Sequence, residues 1–133
     1  MNIRKIEGIG PVNEQRLSEQ GITTTEALLA AGASAAGRRQ LSKETGLAED
    51  LILEWVNRAD LMRVRGVGEE YSDLLEQAGV DTVKELRRRR PDNLHQAMAT
   101  ANAEKHLVRR LPSLSEVERW VEMAKELPAK LTY

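Results

Sequence analysis

Two stretches of this chain set backbone amides where they could hold an anion. Ile6-Glu7-Gly8-Ile9-Gly10-Pro11 precedes a helical pattern, and Val64-Arg65-Gly66-Val67-Gly68-Glu69 repeats it 58 positions later. The first glycine of each pair can take a positive φ closed to other residues, and the second admits close approach of a ligand or a neighbouring helix. The aliphatic between them, Ile9 or Val67, can pin the bend into a core. Beyond the second glycine a helix opens, where unpaired N–H groups and the helix dipole favour a phosphate. Arg4, Lys5 and Arg16 lie near the first bend in sequence, and Arg63 and Arg65 near the second. The densest basic run is Arg87-Arg88-Arg89-Arg90, which Arg109 and Arg110 could join in space and Lys105 could extend. Arg38, Arg39 and Lys43 form a smaller cluster. The candidate nucleic-acid contacts are therefore Gly8, Ile9, Gly10, Arg4, Lys5 and Arg16 at one bend, and Gly66, Val67, Gly68, Arg63 and Arg65 at the other. Arg87, Arg88, Arg89 and Arg90 complete the set.

Acidic residues compete at both bends. Glu7 and Glu14 flank the first, and Glu69, Glu70 and Asp73 follow the second directly. At surface dielectric each such charge, a few ångströms from a phosphate, costs on the order of 1 kcal/mol before screening. The second pair of glycines therefore suits a purely structural role better than the first does. Other chemistries find little support. There is no Cys, which excludes disulfides and thiolate metal sites. His95 and His106 lack the further ligands a zinc site needs, so no metal or other cofactor is expected. No nucleophile elbow or phosphate-binding lysine loop occurs. Asp81 and Lys84 follow the second bend but read as the start of a capped helix, so no enzyme activity is expected. Trp55 and Trp120 lie on apolar helix faces and read as core, and Tyr71 as a half-buried packing residue.

The elements that must position these groups are helices. The repeat carries past the glycines: Leu17 aligns with Leu75, Gly21 with Gly79, Ile22 with Val80, Thr24 with Thr82 and Leu28 with Leu86. A short turn over residues 1–7 leads to the first bend. Pro11 suits the first helical position, and the helix runs to about Gln20 with Val12 and Leu17 inward, closed by Gly21. Thr23 and Glu26 have capping-box spacing ahead of a short helix. Ala33-Ser34-Ala35-Ala36, between Gly32 and Gly37, reads as a loop or a helix start, with a helix through Leu41 ending near Gly46. The longest clear helix spans about Ala48 to Val64, with Leu51, Ile52, Trp55, Val56, Ala59 and Met62 on one face, and joins the two halves rigidly. The second half repeats the plan with helices from about Glu69 to Gln77, from a Thr82–Glu85 cap to the arginine run, from Asn93 to about Leu107, and from a Ser113–Glu116 cap onward. Trp55 and Trp120 are 65 positions apart, so about seven extra residues are expected between Arg88 and Ala103.

Both units resemble helix-hairpin-helix motifs, whose pattern is an aliphatic, a residue, Gly, an aliphatic, Gly, then a helix. Gly21-Ile22-Thr23-Thr24-Thr25-Glu26-Ala27-Leu28-Leu29 also resembles the continuation seen in RNA polymerase alpha C-terminal domains and recombinase N-terminal domains. With Leu111-Pro112-Ser113-Leu114 and Leu131-Thr132-Tyr133, the whole chain is similar to an uncharacterised prokaryotic family of paired helix-hairpin-helix proteins, catalogued as a domain of unknown function. The resemblance implies an all-α fold in which tandem helix-hairpin-helix repeats pack as one pseudo-twofold domain, with halves at residues 1–60 and 61–133. It also implies a duplex-DNA-binding ancestry. Glu14 and Ser72 stand where many such motifs carry a small or basic residue, a departure at both bends.

The 133 residues carry a net charge of −1 and a pI near 6.2, against the strongly basic balance of many DNA-binding modules. No apolar run approaches the ~20 residues that span a bilayer, and there is no secretory signal, so a cytoplasmic protein is expected. The reading favoured is a non-enzymatic module that holds duplex DNA by its backbone without sequence preference. The rival is a protein-interaction or scaffold module that has kept the fold and lost DNA binding. Oligomeric state and pathway are not legible.

Overall fold

Glycine, proline and small hydroxyl residues set the helix ends in this computed structural model, which describes residues 1–133. A 3-10 turn (Ile3–Lys5) is followed by α1 (Pro11–Glu19), α2 (Thr25–Gly32), α3 (Ala35–Thr45), α4 (Glu49–Leu61), α5 (Glu69–Gln77), α6 (Val83–Leu86), α7 (Pro91–Lys105) and α8 (Leu114–Glu126). The fold is all-α, and its single β-bridge pairs Asn2 with Thr24. The chain divides into two compact units, Met1–Asp60 with Lys130–Tyr133, and Leu61–Ala129.

In the first unit, Ile3 N–H donates to Thr23 O at 3.1 Å and Thr25 N–H to Met1 O at 2.8 Å, tying the N-terminal segment to the α1–α2 connection. Ile3, Ile6, Leu17, Leu28, Ile52, Trp55 and Val56 are buried. Each such side chain contributes roughly 2 kcal/mol through removal from water. Two residues, Ala33 and Ser34, suffice to turn α2 into α3. That corner is closed by glycine: a Cβ on Gly32 would meet Val56, and one on Gly37 would collide with the carbonyl oxygen of Ala31. Arg38 is buried there, donating to Gly32 O at 2.9 Å, Ala33 O at 3.2 Å and Thr132 O at 2.8 Å. It thereby holds the C-terminal residues on this unit.

The second unit reproduces the first unit's backbone bonds at the same spacing. Ile6 N–H to Ile3 O (3.0 Å) is matched by Val64 N–H to Leu61 O (3.1 Å), and Ile9 N–H to Ile6 O (3.2 Å) by Val67 N–H to Val64 O (3.0 Å). Beyond the bends, Ile22 N–H to Leu17 O (3.0 Å) is matched by Val80 N–H to Leu75 O (2.9 Å). Leu61, Val64, Val67, Leu74, Leu75, Met98, Val117 and Trp120 lie in one continuous core.

Several expectations are corrected. Val12 is 65% exposed rather than inward. At about 100° per residue it lies roughly 140° around α1 from Leu17, the residue that helix does bury. The α2 cap is Thr24, whose Oγ1 accepts from Ala27 N–H at 3.0 Å. Thr23 is drawn into the extended pairing with Ile3, so the helix starts one residue later than expected. Helix α4 ends at Leu61, where Val64 N–H turns back to Leu61 O, and α7, at 15 residues, is the longest helix. The extra residues of the second half do not lie mainly between Arg88 and Ala103. Helix α6 is four residues shorter than α2, its corner to α7 two longer than the first unit's, and α7 four longer than α3, so most of the net excess lies in the segment from the α7 C-cap to the next helix, five longer than its counterpart. The corresponding segments are His106–Ser113 in the second unit and Gly46–Ala48 in the first.

Candidate nucleic-acid interface

At both bends the backbone takes the conformation that glycine permits. Gly8 and Gly66 each have φ +94°, in the left-handed region. Ile9 and Val67 point into their cores at 8% and 2% exposure, while Gly8, Gly10 and Gly66 are exposed and Gly68 is half-buried. A tryptophan lies against each bend: a Cβ built on Gly8 would sit 3.5 Å from Trp55 Nε1, and one on Gly66 3.0 Å from Trp120 Nε1. Both indoles are therefore structural, as their place on apolar helix faces predicted.

The helices that follow the bends start without a side-chain cap. Gly10 leads into α1 with Pro11 in its first turn, and Gly68 leads into α5. By contrast Thr24, Ser34, Thr82 and Ser113 cap α2, α3, α6 and α8. Helix α7, begun by Arg90 and Pro91, also lacks one. An uncapped first turn leaves N–H groups for an outside acceptor.

The charged surroundings differ. At the first bend Lys5 and Arg16 are exposed and unpaired within the chain. Arg4 Nε lies 3.3 Å from Asn2 Oδ1 and 3.5 Å from Glu14 Oε1, so it partly offsets the carboxylate in the first turn of α1. At the second bend Glu69 and Glu70 occupy the first turn of α5. Arg65 is exposed, but Arg63 is turned to the backbone and donates to Pro128 O at 2.9 Å.

The arginine run forms the corner between α6 and α7. Arg89 donates to Gly79 O at 2.9 Å and pairs with Glu85 at 3.1 Å. Arg87 reaches Leu127 O at 3.5 Å, and Arg90 pairs with Asp92 at 3.0 Å. The Asp92 carboxyl is held below its usual range by the Asn93 N–H and by Arg90. Arg88 alone of the four is exposed without a polar partner. Gly79 closes the far end of α5, about 15 Å along that helix from Gly68 at 1.5 Å per residue. The run is thus gathered at the opposite end of α5 from the bend. Lys105 joins it there through its hydrogen bond to Gln77.

Arg110 is brought elsewhere. Its guanidinium pairs with Glu116 at 2.7 Å and lies 5.9 Å from the centre of the Tyr71 ring, and its carbonyl accepts from the Tyr71 hydroxyl at 2.9 Å. Tyr71 in turn packs on Trp120, with ring centres 5.3 Å apart. Arg110 holds the Glu116 carboxyl down to about 2, helped by the Ser113 N–H. Both imidazoles are accounted for structurally: His95 Nε2 bonds Pro112 O at 2.9 Å, and His106 ends α7 at φ 52°. A groove along α8 is lined by Ser115, Glu118, Arg119, Glu122, Met123 and Glu126, a charge balance unsuited to phosphate.

Residues 7–127 match the family model described as a domain of unknown function, DUF4332. The chain belongs to that family. No curated protein and no solved structure matches it. The DUF4332 span contains both glycine pairs and the arginine run, and leaves Arg4, Lys5 and Thr132, the C-terminal residue bonded by Arg38, outside it. No helix is long and apolar enough to cross a membrane. A shared domain carries no activity by itself, so function has to be argued from the site.

Proposed function

We propose that this DUF4332 protein is a non-enzymatic module of two helix-hairpin-helix units that holds the backbone of duplex DNA without reading its sequence. One observation carries the proposal. The exposed bend Gly8-Ile9-Gly10 feeds an uncapped helix whose neighbours in sequence, Lys5 and Arg16, are exposed and unpaired. N–H groups at a helix start together with unpaired cations suit a phosphate. The second bend shares the backbone but not the charge, and its glycines serve first to seat the loop over Trp120. Arg88 and Lys105 supply a further weak positive field. Contacts of this kind position a protein on the duplex and carry no base information.

Titration of a fluorescent duplex at low and then moderate salt tests the reading. Binding is expected, with a logarithmic salt slope of about −2 to −4, since each phosphate neutralised contributes roughly −0.9. The double variant Lys5→Glu, Arg16→Glu abolishes it while circular dichroism is unchanged. No binding at low salt overturns the proposal in favour of a protein-interaction module. That second reading draws its support from Glu69 and Glu70 at the second bend and from the internal partners of Arg87, Arg89 and Arg90.

A further inference from the structure

The second unit carries a segment for which the first has no room, and that segment is held unusually firmly for a loop. Leu107–Pro112 occupies most of the enlarged connection between α7 and α8. Asn102 brackets Val108 from both sides, accepting from its N–H at 2.9 Å and donating to its carbonyl at 3.2 Å. The Tyr71 hydroxyl binds Arg110 O and His95 binds Pro112 O, both at 2.9 Å. Arg110 is clamped through two bonds to Glu116, at 2.7 and 3.1 Å. Val108 is buried, so the loop is also anchored by its own apolar side chain. A loop pinned in this way has little ordering entropy left to lose when something binds it.

A relay of ring contacts links the loop to the second bend. Arg110 lies over Tyr71, Tyr71 packs on Trp120, and Trp120 supports Gly66. Arg109, between buried Val108 and clamped Arg110, is exposed and without an intramolecular partner, as is Arg65 beside Gly66. Arg110 does not add a free charge, because Glu116 answers it.

We propose that the Leu107–Pro112 loop is the nucleic-acid contact of the second unit, with Arg109 touching a backbone phosphate and Arg110 positioning the loop. It takes the place of the hairpin amides that Glu69 and Glu70 screen. This inference rests on the duplex-binding reading above and deepens it. An arginine carried on a held backbone suits a phosphate, since its planar fork can form two bonds from one geometry.

The test is fluorescence anisotropy on one duplex across a salt series, with the native chain and the variants Arg109→Ala, Arg109→Lys and Arg119→Ala. Arg109→Ala is expected to weaken binding about 5-fold at low salt and to reduce the salt slope by about 1. Arg109→Lys restores the slope, because the charge returns. Arg119→Ala, in the α8 groove, changes affinity less than 2-fold. If the native chain binds but Arg109→Ala leaves slope and affinity unchanged, the loop proposal is overturned while the duplex-binding reading stands. If the native chain does not bind at low salt, both fall. A loss of slope in Arg109→Ala that Arg109→Lys fails to restore also overturns the proposal, since it marks a structural defect rather than a lost charge.

Discussion

Gly8 and Gly66 hold the same φ, +94°, and each rests against a tryptophan, yet a phosphate approaching the two bends meets opposite surroundings. At the first it finds Lys5 and Arg16 unpaired, and at the second Glu69 and Glu70 in the opening turn of α5. The backbone bonds repeat from Ile3 to Leu28 and again from Leu61 to Leu86, so the shape needs only glycines and aliphatics at fixed spacing. Charge is free to diverge over that shape, because it sits on side chains that point away from the core. A repeated fold and a repeated function are therefore separate questions in this molecule, and the differences between its units are the places to interrogate.

The widest difference lies in the corners. The first unit turns α2 into α3 through two residues, and Gly37 sits where a Cβ would strike Ala31 O. The second turns α6 into α7 through four residues, Arg87–Arg90, and no glycine is needed. Gly37→Ala is expected to cost about 3 kcal/mol, as forced overpacking against backbone does. Asn93→Ala, at the matching position of α7, should change stability by less than about 0.5 kcal/mol. Urea unfolding with hydrogen exchange, which resolves the two units, would show it; equal losses would break the comparison.

The bends themselves come next. Alanine at either positive-φ position is strained by roughly 1–2 kcal/mol. At Gly66 the added Cβ also presses on Trp120 at 3.0 Å, against 3.5 Å to Trp55 at Gly8. Gly66→Ala should therefore be the more destabilising of the two by about 1 kcal/mol. Thermal unfolding of both variants measures the difference, and the reverse order would mean that Trp120 yields more easily than its packing suggests.

A smaller contrast runs the other way. Helix α3 ends on Gly46 at φ 76°, and α7 on His106 at φ 52° in the same left-handed region. Glycine carries no steric penalty there and histidine does. His106→Gly is expected to stabilise the chain by about 0.5–1 kcal/mol, and Gly46→Ala to destabilise it by about 1 kcal/mol. A rise in unfolding midpoint for the first variant and a fall for the second check both.

How far these features were legible in the sequence varies with their range. Gly8 and Gly66 take the positive φ expected of the first glycine in each pair, and Gly21 and Gly79 take it as well just past their helices, since a turn is decided within a few residues. The apolar faces with Trp55 and Trp120 also follow from local periodicity. Arg38 did not: in sequence it belongs to a surface-like basic cluster, but carbonyls from Gly32, Ala33 and distant Thr132 converge on it. Arg87–Arg90 read as one open basic patch for contact with a partner, although Arg87 and Arg89 reach carbonyls 40 and 10 residues away. Arg110 was grouped with that run by charge, whereas Tyr71 and Glu116 draw it to the other end of α5. Long arginine side chains find their partners in three dimensions, and nothing in their neighbours along the chain announces it.

The smallest expected effect concerns the start of α8. Its first turn carries a full capping box, with Glu116 N–H donating to Ser113 Oγ at 3.2 Å and the Glu116 carboxylate accepting from Ser113 N–H at 3.2 Å. Helix α4, its counterpart in the first unit, has Glu49 and Asp50 in the same turn, with Asp50 Oδ1 accepting only from the next residue, Leu51. Arg110 and the cap together hold the Glu116 carboxyl at about 2, below its ordinary 4.5. A depressed carboxyl favours the folded state when ionised, so its contribution is fully present above pH 4.5 and disappears as pH falls through 2. Glu116→Gln should thus lower the unfolding midpoint at pH 7, and the gap from the native chain should close as the pH approaches 2. Glu49→Gln should give a smaller gap at pH 7. Hydrogen exchange at the α8 amides, followed over pH in both variants, separates loss of this cap from the general acid destabilisation of a chain with 21 carboxylate side chains. A pH-independent gap for Glu116→Gln would assign the effect to packing and leave the two helix starts electrostatically alike.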